Sequence, residues 1–105
     1  MKNNIGRGSS GKRIQLLHVD DDESFLKISK LYIEKLEQNI EVTSLSDSLQ
    51  VSTILERHKY DVIISDYQMP GKNGLQLLEN LRSSGNTIPF IILTGKGRDC
   101  YLCGY

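Results

Sequence analysis

Two strand-like apolar runs end in aspartates that are far apart in the chain. Leu16-Leu17-His18-Val19 runs into Asp20-Asp21-Asp22, and Val62-Ile63-Ile64-Ser65 runs into Asp66-Tyr67-Gln68-Met69-Pro70-Gly71. A third run, Phe90-Ile91-Ile92-Leu93, stops at Thr94-Gly95. Carboxylates gathered at close range raise one another's proton affinity unless a cation neutralises them. Hard oxygen donors suit Mg²⁺, which keeps several waters and takes one or two protein carboxylates. Asp20, Asp21 and Asp66 are therefore candidate ligands of one divalent ion, and the backbone carbonyl near Gln68 is a candidate extra oxygen. A carboxylate beside such an ion can also attack phosphorus and form an acyl phosphate. Phosphoryl transfer asks mainly for positioning and charge neutralisation, with hydroxyl and ammonium donors opposite the metal. Thr94 supplies a hydroxyl, and Gly95 leaves room for a phosphate to approach the backbone. Taken singly, aspartates after strands are usually helix caps or turn formers. Asp22 reads as such a cap and Glu23 as first-turn dipole charge. The combination of Asp20, Asp21, Asp66 and Thr94 in one topology favours chemistry.

That topology follows from the elements around these residues. Ile14 to Val19 is a nearly continuous apolar run, as expected of a strand covered on both faces. Phe25, Ile28, Leu31, Tyr32 and Leu36 then recur at helical spacing, and Ile40, Val42 and Leu45 suggest a second strand. Asp47 is placed to cap a second helix with Val51, Ile54, Leu55 and His58 on its buried stripe. Tyr60 to Ser65 reads as the third strand, and Leu75, Leu78 and Leu81 mark a third helix that Gly85 can end. Pro89 opens the fourth strand, where a missing donor is tolerated. Strand–helix alternation at this rhythm implies βαβ units with right-handed crossovers and a doubly wound, parallel α/β sheet. In such sheets the strand ends share one edge, and ligands bind there.

Composition narrows the function classes. The 105 residues suffice for one modest core. Thirteen basic and thirteen acidic residues balance, which leaves no electrostatic footprint for nucleic acid or an anionic membrane. No apolar stretch approaches the ~20 residues of a membrane span. The polar stretch from Met1 to Arg13 lacks the apolar segment of a secretory signal, so a cytoplasmic location is expected. Residues 1–12 read as a flexible leader and 13–105 as the domain. Cys100 and Cys103 form a lone C-x-x-C with no second ligand pair, and they read as two free thiols rather than a zinc or redox site.

The set Val19-Asp20-Asp21, Ser65-Asp66-Tyr67-Gln68-Met69-Pro70, Gly74-Leu75 and Leu93-Thr94-Gly95 resembles the receiver domain of two-component response regulators. The likeness runs from residue 14 to about 98, and its Asp-x-x-Met-Pro-x-x-x-Gly motif after a strand is specific. It implies a flavodoxin-like receiver fold with strand order 2-1-3-4. By the same resemblance Asp66 is the phosphoacceptor, charged by a histidine kinase's phosphohistidine or by a phosphotransfer protein. Asp20 and Asp21 hold Mg²⁺, with Asp21 the more direct ligand. Thr94 bonds the phosphoryl group and moves on activation. Asn73 stands where the family often has Asp.

The family fold has five strands and five helices, and a lysine that contacts the phosphoryl group ends its fifth strand. Only 11 residues follow Thr94, whereas a parallel crossover takes a dozen or more. The fourth helix, fifth strand and fifth helix are thus expected not to be all present, and no residue stands at the lysine position. Lys96 reads as a solvated loop lysine. Tyr101-Leu102 could form a short antiparallel piece beside the fourth strand. A bare, apolar fourth strand would invite a homodimer through its exposed edge. Two rivals to the phosphoacceptor reading are a degenerate receiver that only binds Mg²⁺ or a kinase, and an aspartyl-phosphate phosphatase. The phosphatase needs a second Asp at Gln68 and a cap. Any catalysis in the favoured reading is limited to self-phosphorylation and autodephosphorylation at Asp66.

Overall fold

The protein's structure, a computed structural model, describes residues 13–94 and the backbone of 101–104. The leader over 1–12, Gly95, Lys96 and Cys100 lie outside the described residues. The elements in chain order are β1 (Ile14–Val19), α1 (Glu23–Leu36), β2 (Ile40–Leu45), α2 (Val51–Arg57), β3 (Val62–Asp66), α3 (Gly74–Ser83), β4 (Phe90–Thr94) and β5 (Tyr101–Gly104). A 3₁₀ turn over Ser48–Gln50 leads into α2. The sheet order is β2-β1-β3-β4-β5, and the first four strands are parallel, as the alternation of elements demands.

Local chemistry sets the element ends. Asp22 Oδ1 accepts the Phe25 N–H at 3.1 Å and caps α1. Asp47 Oδ1 accepts the Leu49 N–H at 3.0 Å, so it caps the 3₁₀ turn rather than α2 itself. Asn73 and Gln76 form a reciprocal capping box at the start of α3. Gly85, with φ +89°, takes the left-handed turn that ends that helix. β3 begins two residues later than Tyr60 and includes Asp66 as its last residue.

The two faces of the sheet are covered differently. Leu17, Val19, Ile63, Phe90 and Ile92 point to one side and join Val51 of α2 and Leu77, Leu78 and Leu81 of α3 in a single buried cluster. The stripe expected on α3 is thus shifted: Leu77 is buried and Leu75 is exposed. His58 lies beyond the end of α2 and is exposed, because the helix stops at Arg57. On the other side, Leu16, His18 and Val42 are buried with Leu26 of α1, and the His18 ring meets Phe25 edge-on at 5.6 Å. The remaining apolar positions of α1 are not buried. Ile28, Leu31, Tyr32 and Leu36 are all about two-thirds exposed, between 63% and 66%.

Both sheet edges depart from a bare strand. On β2, the Val42 N–H donates to Glu34 Oε2 at 2.8 Å and the Val42 carbonyl accepts from Lys30 Nζ at 2.6 Å. Two side chains of α1 thus occupy backbone groups that an edge would otherwise offer to another chain. At the opposite end, β5 runs antiparallel to β4, with Thr94 opposite Tyr101 and Ile91 opposite Gly104. The expectation of a bare fourth strand is corrected here. The six residues between Thr94 and Tyr101 are too few for a parallel crossover but enough to reverse direction. A fifth strand is therefore present in the opposite sense, and a homodimer through an exposed β4 edge loses its premise.

Candidate functional site

Asp20 follows the last residue of β1 and has no exposed surface. Its N–H donates to the Leu45 carbonyl at the end of β2, at 3.1 Å. Its Oδ1 accepts the Asp22 N–H at 2.9 Å, a tight side-chain turn that swings the chain into α1. Asp21, between them, is exposed. Asp66 ends β3 and is 6% exposed. The next N–H, of Tyr67, donates to the Leu93 carbonyl at 3.0 Å and ties this strand end to β4.

These local constraints bring the expected carboxylates together. One oxygen from each of Asp20, Asp21 and Asp66 lies within 4.8 Å of the other two. The donor set suits a small, hard divalent cation: every donor is a carboxylate oxygen, two are buried side by side and need a counter-charge, and Asp21 stands on the solvent side where waters can complete the shell. A soft metal would ask for thiolate or imidazole donors instead. Asp22 is spent on its helix cap and is not part of the group.

The segment after Asp66 is held by backbone geometry. Gly74 N–H donates to the Tyr67 carbonyl at 2.8 Å, which closes the loop as α3 begins. A Cβ on Gly74 would stand 2.6 Å from the Asp66 carbonyl oxygen, so only glycine lets the helix start this close to the strand end. The Ser65 hydroxyl donates to that same carbonyl at 2.9 Å. Ser65 and Gly74 thus fix the backbone of Asp66 from two sides. Sequence reasoning assigned neither that task; a lone buried serine in an apolar strand was the available signal. Gly71, with φ +84°, turns the loop over the Leu49 side chain.

Gln68 lies in this loop, two residues past Asp66, and is exposed. Thr94 is the last residue of β4 and half-buried, one position beyond Leu93, the register partner of Asp66. Asp20, Asp21, Asp66, Gln68 and Thr94 therefore share the edge where the parallel strands end, and three of them form a cluster.

The comparisons agree with this geometry. A family model described as the response regulator receiver domain matches residues 16–102. The transcriptional regulatory protein MalR of Bacillus subtilis is 33% identical over 82 residues, which is 77% of this chain and 34% of that protein. The transcriptional regulatory protein CiaR of Streptococcus pneumoniae is 35% identical over 83 residues, 79% of this chain and 36% of that protein. The chain spans about a third of the length of these two curated relatives. Among solved structures, the receiver domain of the Francisella response regulator 1452 superposes with a TM-score of 0.73 at 29% identity, covering 83% of this chain and 70% of that one.

Proposed function

The chain belongs to the response regulator receiver domain family of two-component signalling, and from that premise we propose that Asp66 is its phosphoacceptor. The observation that carries this reading is the meeting of the Asp20, Asp21 and Asp66 carboxylates at the ligand-binding edge of the sheet.

In this reading an Asp66 carboxylate oxygen attacks the phosphorus of a phosphohistidine on a histidine kinase or phosphotransfer protein. The P–N bond breaks, its electron pair stays on the imidazole nitrogen, and the new O–P bond makes a mixed anhydride. Water later cleaves the anhydride and returns the carboxylate and inorganic phosphate. Asp20, Asp21 and Asp66 would hold Mg²⁺, with the backbone carbonyl near Gln68 as a further oxygen ligand. Bound there, the ion neutralises the carboxylates and the phosphoryl oxygens. Ser65 and Gly74 keep the Asp66 backbone from retreating, which is positioning work of the kind phosphoryl transfer relies on. Thr94 donates its hydroxyl to a phosphoryl oxygen. Residues 13–105 form the receiver unit and 1–12 a leader. The protein works in the cytoplasm; among the described residues no helix is long and apolar enough to cross a membrane.

The test is incubation with acetyl phosphate and Mg²⁺, read by intact mass. One phosphoryl group should be added, and Asp66→Asn should abolish the adduct completely. Magnesium binding with no adduct would leave the chain a binding module only. An adduct that survives Asp66→Asn would remove Asp66 from its role.

A further inference from the structure

The two edges of the sheet are finished differently. On β2, the carbonyls on either side of the strand run, those of Asn39 and Leu45, accept from Ile14 and Asp20 on the β1 side. Alternation therefore turns the backbone groups of Ile40, Val42 and Ser44 outward. Ile40 N–H donates to the Glu37 carbonyl at 3.2 Å, and both groups of Val42 are held by Lys30 and Glu34. An incoming strand cannot pair there without first displacing two α1 side chains.

On the other side β5 is the outermost strand. The Pro89 and Leu93 carbonyls accept from Ile63 and Tyr67, so Phe90, Ile92 and Thr94 direct their backbone groups toward β5. Ile92 stands opposite Cys103 and Thr94 opposite Tyr101. Cys103 and Tyr101 therefore face β4, and the N–H and carbonyl groups of Leu102 and Gly104 point away from the sheet. The segment Tyr101-Leu102-Cys103-Gly104-Tyr105 holds no charged residue and no proline, two devices that keep like edges apart.

Two outward residues separated by one inward residue are self-complementary. Let a second β5 lie antiparallel with the partner's Cys103 opposite Cys103. Leu102 of each strand then meets Gly104 of the other, and every outward group of both strands finds a partner. Centring the pair on Leu102 or on Gly104 satisfies only one residue of each strand within β5. With no charge in the segment, two copies meet there without repulsion.

We propose that β5 pairs antiparallel with β5 of a second copy across a twofold axis at Cys103, making one continuous sheet through the dimer. The association runs through β5, not through β4, whose edge β5 already covers. The interface is isologous, so every hydrogen bond occurs twice and every substitution is felt twice. Cys103 and its counterpart form a non-hydrogen-bonded pair with Cα atoms about 4.5 Å apart, a separation that a disulfide can span.

Sedimentation velocity of the full chain under reducing conditions, across a concentration series, tests the proposal. The unaltered protein should shift from monomer to dimer as concentration rises. Leu102→Pro removes an outward N–H and no bond to β4, and it should weaken association at least about tenfold with circular dichroism unchanged. Cys103→Lys sets like charges opposite each other and should weaken association about threefold, and an equimolar mixture with Cys103→Asp should associate again. Diamide, which takes two electrons and two protons from a pair of thiols, should link the dimer by one disulfide. That link should persist in Cys100→Ser and vanish in Cys103→Ser. A strict monomer at all concentrations overturns the proposal. So does a dimer indifferent to Leu102→Pro and Cys103→Lys, a mixture that fails to associate, or a link that survives Cys103→Ser.

Discussion

On the α2/α3 side of the sheet, Leu17, Ile63 and Phe90 are at most 1% exposed and sealed under two helices. On the α1 side, Ile64 and Ile91, their neighbours along the same strands, remain half-buried, and the apolar stripe of α1, the one covering helix among the described residues, is exposed. The strands supply apolar residues to both faces, as a parallel sheet requires. The faces differ in how many helices cover them. The closed face therefore holds the larger buried cluster and anchors the loop after β3 through α3, whereas the open face leaves apolar side chains exposed. The edge that gathers the carboxylates draws on the closed side for precision: Asp66 is backed by Ser65 and by the first residue of α3.

Substitutions on the two faces should separate these roles. The largest effect is expected at Phe90, among the largest of the fully buried side chains. Phe90→Ala should lower unfolding free energy by about 3–5 kcal/mol in urea titration, through lost burial plus the cavity left behind. A loss under about 1 kcal/mol would mean that the closed face is not the stabilising one.

An intermediate effect is expected at Glu34, which ties α1 to β2. The Lys30 ammonium, and then the Val42 N–H, hold its carboxyl below the usual carboxylate range. A carboxyl with a lowered folded pKa stabilises the fold at pH above its unfolded value and loses that contribution as pH falls through the folded one. The side chain is one-third exposed, so the gain at neutral pH is at most about 1 kcal/mol after solvent screening. Glu34→Gln should remove it at neutral pH and flatten the acid-side decline in urea midpoint. Parallel pH profiles for the two proteins would contradict the assignment.

The smallest effect belongs to the open face. Leu36→Ser, at a position 63% exposed, should change the monomer's stability by no more than about 0.5 kcal/mol when measured at low concentration. A loss comparable to that of Phe90→Ala would erase the distinction between the faces.

Much of this was legible from spacing. Asp22 as a cap and Gly85 as a stop follow from residues that act on near neighbours, and the parallel sense of four strands follows from the strand–helix alternation. Asp20, Asp21 and Asp66 were legible as a group because strand ends in a βαβ sheet must share an edge. The antiparallel sense of β5 depended on how few residues join it to β4, and the capture of Val42 by Lys30 and Glu34 depended on where a helix settles over an edge.

The sequence by itself determined the alternation of strands and helices, the caps, and which carboxylates meet. Those outcomes depend on periodicity and on short-range turn chemistry, both written along the chain. Only the tertiary structure decided that Asp20 is buried while its neighbour Asp21 is exposed, and that Ile28, Leu31, Tyr32 and Leu36 of α1 stay exposed rather than joining a core. A period of 3.6 residues says that one side of a helix is apolar; what meets that side is settled by the other elements that pack around it.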